Sequence, residues 1–112
     1  AALTVMAARG QITGARVDGP LAFDNAISPE AARTKGIVSP VAGQADILLV
    51  PDLEAGNMLA KQLIYFAGAD AAGLVLGARV PIVLTSRSDS LKTRIASAAL
   101  AKLVASRRGP GI

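Results

Sequence analysis

Apolar residues in this chain fall into short runs and helical stripes, punctuated by glycine, proline and acidic residues. Ala1–Ala8 is nearly all apolar and ends in Arg9-Gly10, a basic last turn followed by a glycine stop, so it predicts the end of a helix. Ile12–Val17 is short and contains Gly14; it reads as a strand or an extended connection. Asp18-Gly19-Pro20 is a turn signal, after which Leu21-Ala22-Phe23 is apolar again up to Asp24-Asn25. Ser28-Pro29-Glu30 supplies an N-cap, a first-position proline and an acidic first turn, predicting a helix to Lys35 that stops at Gly36. Residues 37–45, with Pro40 and Gly43, read as an irregular loop.

The run Ile47–Val50, stopped by Pro51, has the length and β-branched content of a strand buried on both faces, as in a parallel sheet. A loop over Asp52–Gly56 then leads to Asn57, the expected N-cap of a helix with Leu59, Leu63 and Phe66 on one face and a stop at Gly68. Ala72–Leu76 is a further apolar run. Pro81–Leu84 predicts a buried strand, and polar residues from Thr85 to Ser90 follow it. The last helix carries Leu91, Ile95, Ala99 and Leu103 on one stripe and is expected to end at Gly109-Pro110-Gly111. Strands alternating with helices predict an α/β chain, layered α/β/α.

Composition narrows the chemistry. The 112 residues are 52% hydrophobic and 18% charged, so a core-forming domain or part of one is expected. So high an apolar fraction in a short chain predicts apolar surface left for a partner chain or a further domain. There is no Cys and no His. Disulfides, thiolate nucleophiles, charge-relay serine hydrolysis and the common zinc sites are thereby excluded, and no metal site is expected. From Arg79 onward the cations Arg79, Arg87, Lys92, Arg94, Lys102, Arg107 and Arg108 face a single anion, Asp89. That basic segment can attract an anionic ligand or form a solvated helix face. The only aromatics, Phe23, Tyr65 and Phe66, are not interleaved with it, which argues against nucleic acid as partner. No apolar run is long enough to span a bilayer, so no membrane is expected. With no initiator Met and a helix already under way at Ala1, the sequence is expected to be cut from a longer chain.

Three stretches carry candidate chemistry. Ser86, Arg87 and Asp89 lie between a predicted strand and a predicted helix, where α/β sheets commonly bind ligands. Arg87 can hold a phosphate or a developing oxyanion. Asp89 is read either as a general base or, like Ser88, as a helix cap. Pro51-Asp52 to Asn57 would line the same sheet edge if the strands ran parallel; its plainer reading is a loop with an asparagine cap. Asp18-Gly19-Pro20 to Asp24 is a turn with little else to mark it. Neither glycine-rich phosphate-loop pattern occurs.

Taken in order, four motifs carry a resemblance. They are Asp18-Gly19-Pro20 with Asp24; Ser39-Pro40-Val41-Ala42-Gly43 with Ala45-Asp46-Ile47-Leu48; Pro51-Asp52-Leu53 with Gly56-Asn57 and Lys61; and Pro81-Ile82-Val83-Leu84-Thr85-Ser86-Arg87. Together they resemble the C-terminal third of the phosphate acyltransferases, the phosphotransacetylase and phosphotransbutyrylase family. The style is closest to the butyryl-type branch and to phosphotransacetylase-like domains that follow an enoyl-CoA-hydratase-like domain. The resemblance implies acyl transfer between coenzyme A and inorganic phosphate, with CoA a substrate and no cofactor. It implies a cytoplasmic homodimer whose fold is similar to that of isocitrate and isopropylmalate dehydrogenases. Ser86 and Arg87 match the family's catalytic Ser-Arg pair, and Asp89 is the best match to its catalytic aspartate. Acetyl-type members carry a Gly-Cys segment and a longer gap before that acid, where this chain has only Ser88. Asp52 and Asn57 are the implied substrate-binding residues. Alternative roles for the chain are a non-catalytic scaffold or dimerisation fragment, and a regulatory acyl-CoA-binding module.

Overall fold

Helix ends are set where the local chemistry is strongest. The computed structural model describes residues 1–107, which fall in two units, one over Ala1–Val50 and one from Pro51 onward. In the first unit α1 spans Ala2–Ala8, α2 Phe23–Ile27 and α3 Pro29–Thr34. Ser28 caps α3 as expected: its Oγ accepts the Ala31 N–H at 3.2 Å, with Pro29 in the first helical position. Gly36, at φ +64°, closes α3 by a paired motif in which Ile37 N–H donates to Ala32 O and Gly36 N–H to Arg33 O. Gly10 closes α1 in the same way, with Gln11 N–H donating to Met6 O. Both predicted stops are confirmed. The short helix α2 was not predicted; Ser28 serves it as well, its N–H donating to Asp24 O at 2.8 Å.

The interior of this unit lies between α2, α3 and the following loop. Ala26 and Ala32 are buried, with Asn25 and Gly43. Gly43 N–H donates to Asn25 O at 2.8 Å and Ala45 N–H to Ala26 O at 3.1 Å, so the loop lies directly on α2. Ser39 shapes the loop, its Oγ accepting the N–H groups of Val41 and Ala42 at 3.0 Å. Residues 12–17 form a connection without regular structure. The buried strand expected at Ile47–Val50 does not form: Ile47 is 81% and Leu49 74% exposed. A run buried on both faces needs neighbouring strands and covering helices, and among the described residues none pairs with it.

In the second unit α4 spans Leu53–Tyr65, β1 Leu74–Val75, β2 Ile82–Val83 and α5 Leu91–Arg107. The two strands pair antiparallel, Leu74 opposite Val83 and Val75 opposite Ile82, and make the only sheet among the described residues. The parallel arrangement expected from the apolar runs is not what these strands adopt. Nor is β2 buried, both its residues being exposed. Helix and strand together make an α/β chain.

α5 packs on this hairpin through small residues. Ser97 is fully buried; its Oγ accepts the Gly73 N–H at 2.9 Å and donates to Thr93 O at 2.7 Å. The residues turned inward near it are Thr93, Ala96, Ala101 and Val104. The expected packing stripe points the other way, with Leu91 73%, Ile95 60% and Leu103 60% exposed. Likewise α4 buries no residue, and it packs against no other helix or strand among the described residues. Phe66, expected on its buried face, is 90% exposed. Among the described residues no helix is long and apolar enough to cross a membrane. The expected helix stop at Gly109-Pro110-Gly111, and Arg108, lie outside the described residues.

Candidate functional site

The segment between β2 and α5 is a tight turn. Leu84 N–H still donates to Gly73 O at 3.3 Å, extending the strand pairing by one residue. Asp89 N–H then donates to Ser86 O at 3.1 Å, closing a four-residue β-turn with Arg87 and Ser88 at its centre. The Asp89 carboxylate folds back onto the same turn, where its Oδ2 accepts the Ser86 N–H at 2.6 Å. Ser86 and Ser88 place their hydroxyls 3.2 Å apart. Ser86, Arg87 and Asp89 are thus gathered on one exposed turn at the start of a long helix.

Which residue caps that helix decides what Asp89 is free to do. Ser90 is the cap: its Oγ accepts the Thr93 N–H at 3.2 Å. The cap readings of Ser88 and Asp89 are therefore set aside. Oδ2 accepts the Ser86 N–H, and Oδ1 has no hydrogen-bond partner among the described residues. Arg87 makes no ion pair and no side-chain hydrogen bond among the described residues. Its guanidinium is therefore open to an anion, a group that arginine is well suited to hold.

Asp52 and Asn57 are not brought to this turn. Asp52 caps α4, its Oδ1 accepting the Ala55 N–H at 2.7 Å. That moves the cap one turn ahead of Asn57, which stands exposed inside the helix. Neither residue bonds to the 86–89 turn among the described residues. With Ile47–Val50 not a strand, the argument for a shared sheet edge falls too.

The Asp18–Asp24 stretch is structural in what it touches. Asp18 Oδ1 accepts the Gly19 N–H at 2.8 Å, and Thr4 Oγ1 donates to Gly19 O at 3.1 Å, holding the turn on α1. Lys35 Nζ lies 2.7 and 2.9 Å from the Asp24 carboxylate oxygens. That hydrogen bond above all, with help from the Asn25 backbone, holds the Asp24 carboxyl below its ordinary value.

One residue beside the site is marked in the sequence only as part of the basic segment, not as a partner of the turn. Arg94, in the first turn of α5, donates from Nε to Asp89 O at 3.3 Å and from Nη2 to Ser86 O at 3.3 Å. A basic residue four positions after a Ser cap, just behind a polar turn, is the signal that could have marked it, since helical side chains lean toward the N-terminus.

The family described as phosphate acetyl/butaryl transferase matches residues 1–102. The chain is 73% identical over 108 residues to phosphate acetyltransferase of Rhizobium meliloti, covering 96% of this chain and 34% of that protein. It is 53% identical over 107 residues to phosphate butyryltransferase of Clostridium beijerinckii, covering 96% of this chain and 35% of the relative. A branched-chain phosphotransacylase from Enterococcus faecalis V583 superposes with a TM-score of 0.75 at 43% identity, covering 88% of this chain and 37% of that one. The chain spans about a third of the length of the curated relatives it matches. By the match over residues 1–102, the chain belongs to the phosphate acetyl/butaryl transferase family.

Proposed function

We propose that the chain carries the acyl-transfer turn of an enzyme that interconverts acyl-CoA plus phosphate with acyl phosphate plus CoA. The observation that carries this reading is the gathering of Ser86, Arg87 and Asp89 on one β-turn, with Arg87 unpaired among the described residues. In the direction of acyl-CoA synthesis, Asp89 Oδ1 takes the proton of the CoA thiol, because the thiolate is the competent nucleophile. The sulfur attacks the carbonyl carbon of the acyl phosphate. Ser86 Oγ hydrogen-bonds the reacting sulfur or carbonyl oxygen. Arg87 balances the charge that builds on that oxygen and on the phosphate, which departs with the electron pair of the broken C–O bond. The proton held by Asp89 returns to solvent or phosphate, and no covalent acyl-enzyme is formed.

The finer fold belongs to the same proposal: a layered α/β/α arrangement similar to the isocitrate and isopropylmalate dehydrogenases, with the β1–β2 hairpin and α5 as part of it. So do the homodimer and the cytoplasmic location. The open apolar stripe Leu91, Ile95 and Leu103 supports a partner surface. Water-soluble substrates, CoA and inorganic phosphate, support a location in the cytoplasm. Asp52 and Asn57 are offered as substrate contacts at the exposed start of α4. CoA acts as substrate, with no cofactor called for.

The scaffold reading bears on the chain taken alone. With so few side chains buried, the isolated 112-residue chain is expected to be inactive. Activity is therefore tested in a chimera in which this chain replaces the matching third of the Rhizobium meliloti relative. Asp89→Asn there retains an oxygen to accept the Ser86 N–H, so the turn survives while the base is lost. We expect kcat to fall about a hundredfold, in the ordinary range for a general base. An unchanged kcat would remove Asp89 from the mechanism.

A further inference from the structure

We infer that Arg94 is a positioning residue, which orients Arg87 by holding the two peptide planes on either side of it. The inference rests on the acyl-transfer reading of Ser86, Arg87 and Asp89, and it adds a residue that touches none of the reacting atoms. Arg94 lies in the first turn of α5, its N–H donating to Ser90 O at 3.1 Å. From there its side chain leans back over the preceding turn. Nη2 donates to Ser86 O at 3.3 Å and to Arg87 O at 3.5 Å, while Nε donates to Asp89 O at 3.3 Å.

The choice of carbonyls is what gives this strap its effect. Ser86 O belongs to the peptide plane that precedes the Arg87 Cα, and Arg87 O to the plane that follows it. Each plane is rigid, so pinning both oxygens fixes φ and ψ of Arg87 together. That sets the direction in which the Arg87 side chain leaves the backbone. The third bond fixes the Asp89 carbonyl, while the carboxylate of the same residue is held by Ser86 N–H at 2.6 Å. One guanidinium is therefore tied to the backbone of all three proposed catalytic residues. A lysine could not do this, because its ammonium is a compact point charge without the planar fork.

The placement also runs against electrostatic preference. The first turn of a helix carries the positive end of the macrodipole and disfavours a cation. Arg94 has no acidic ion-pair partner among the described residues to offset this. Its partners are carbonyl dipoles of the turn, whose negative ends it neutralises.

The test has two parts. In the 112-residue chain, the three-bond coupling between the Arg87 amide and α protons reports φ directly. Arg94→Lys is expected to move this coupling toward its conformationally averaged value and to leave the couplings of α3 unchanged. In the chimera, Arg94→Ala is expected to lower kcat about 10- to 100-fold, the loss that follows a small misplacement of a reacting group. KM for CoA and for acyl phosphate should stay nearly constant, and added guanidinium ion should restore part of kcat. Arg94→Lys should show a smaller loss of the same kind, and it decides the matter if Arg94→Ala does not fold. Wild-type kcat in Arg94→Lys with an unmoved Arg87 coupling would overturn the inference. So would a loss in Arg94→Ala that appears in KM and ignores guanidinium, since that marks direct substrate contact. Arg87→Gln is measured alongside: if it retains full turnover, the acyl-transfer reading itself fails. If it is impaired while Arg94→Lys is normal, only the positioning role fails.

Discussion

Arg87→Gln in the chimera is expected to lower kcat by about two to three orders of magnitude, the usual loss on removing one preorganised donor to a developing oxyanion. Gln keeps most of the length and polarity of the side chain, so the measured loss isolates the charge. The structure also predicts what should not change. Arg87 is exposed and has no ion pair or side-chain hydrogen bond among the described residues. Its replacement leaves no buried partner unsatisfied, and a change of this kind alters stability by about 0.5 kcal/mol or less. Thermal unfolding of the variant should therefore coincide with that of the parent. A large fall in melting temperature would show that Arg87 is a structural residue, and turnover within twofold of the parent, against the expected about hundredfold or greater loss, would remove it from the mechanism.

The second large effect is on stability, at Gly43→Ala. Gly43 has φ +82°, and a Cβ there would lie 2.7 Å from Pro29 Cα and 2.9 Å from Pro29 N. Those are backbone atoms at the start of α3, so no side chain can swing aside. The left-handed backbone costs an Ala about 1–2 kcal/mol, and forcing apart a packed contact adds about 1–3 kcal/mol. Gly36→Ala is the matched control. Gly36 also has positive φ, at +64°, but nothing lies within 4 Å of its would-be Cβ. Denaturant midpoints of the two variants should separate clearly, Gly43→Ala being the less stable. Equal midpoints would mean that the loop does not rest on α3 in solution.

What could be read from the sequence was what neighbouring residues decide among themselves. Ser28-Pro29-Glu30 and Gly36 mark the ends of α3 because capping bonds span only a few residues. The start of α4 was misplaced because Gly56, which lies inside the helix, is unfavourable there by about 1 kcal/mol relative to Ala. The pattern therefore favoured Asn57, just beyond it, over the actual cap, Asp52. Ile47–Val50 shows the other limit. An apolar run records what a segment could bury, but a strand needs a partner, often remote in sequence, and none is present among the described residues.

The last helix was misoriented for a related reason. Leu91, Ile95 and Leu103 are among its bulkiest apolar residues, yet the face on the hairpin holds Ser97, close enough to bond Gly73 N–H. Close approach selects small residues, and a hydropathy pattern does not register it. In the candidate site, the Ser86-Arg87 pair was proposed from the motif that carries the resemblance, and Asp89 only as the best match to its acid. Their arrangement was not legible: the fold of Asp89 onto Ser86 N–H and the strap from Arg94 are bonds between side chains and particular backbone groups, and which groups they meet depends on how the turn folds.

The central claim is that these residues carry the acyl-transfer turn of a phosphate acyltransferase, and CoA-dependent arsenolysis of acyl phosphate by the chimera tests it most directly. The expected result is sustained turnover by the chimera, none by the isolated chain, and near-complete loss in the chimera with Ser86→Ala and Arg87→Gln combined. A folded chimera whose turnover is unaffected by that double substitution would contradict the claim.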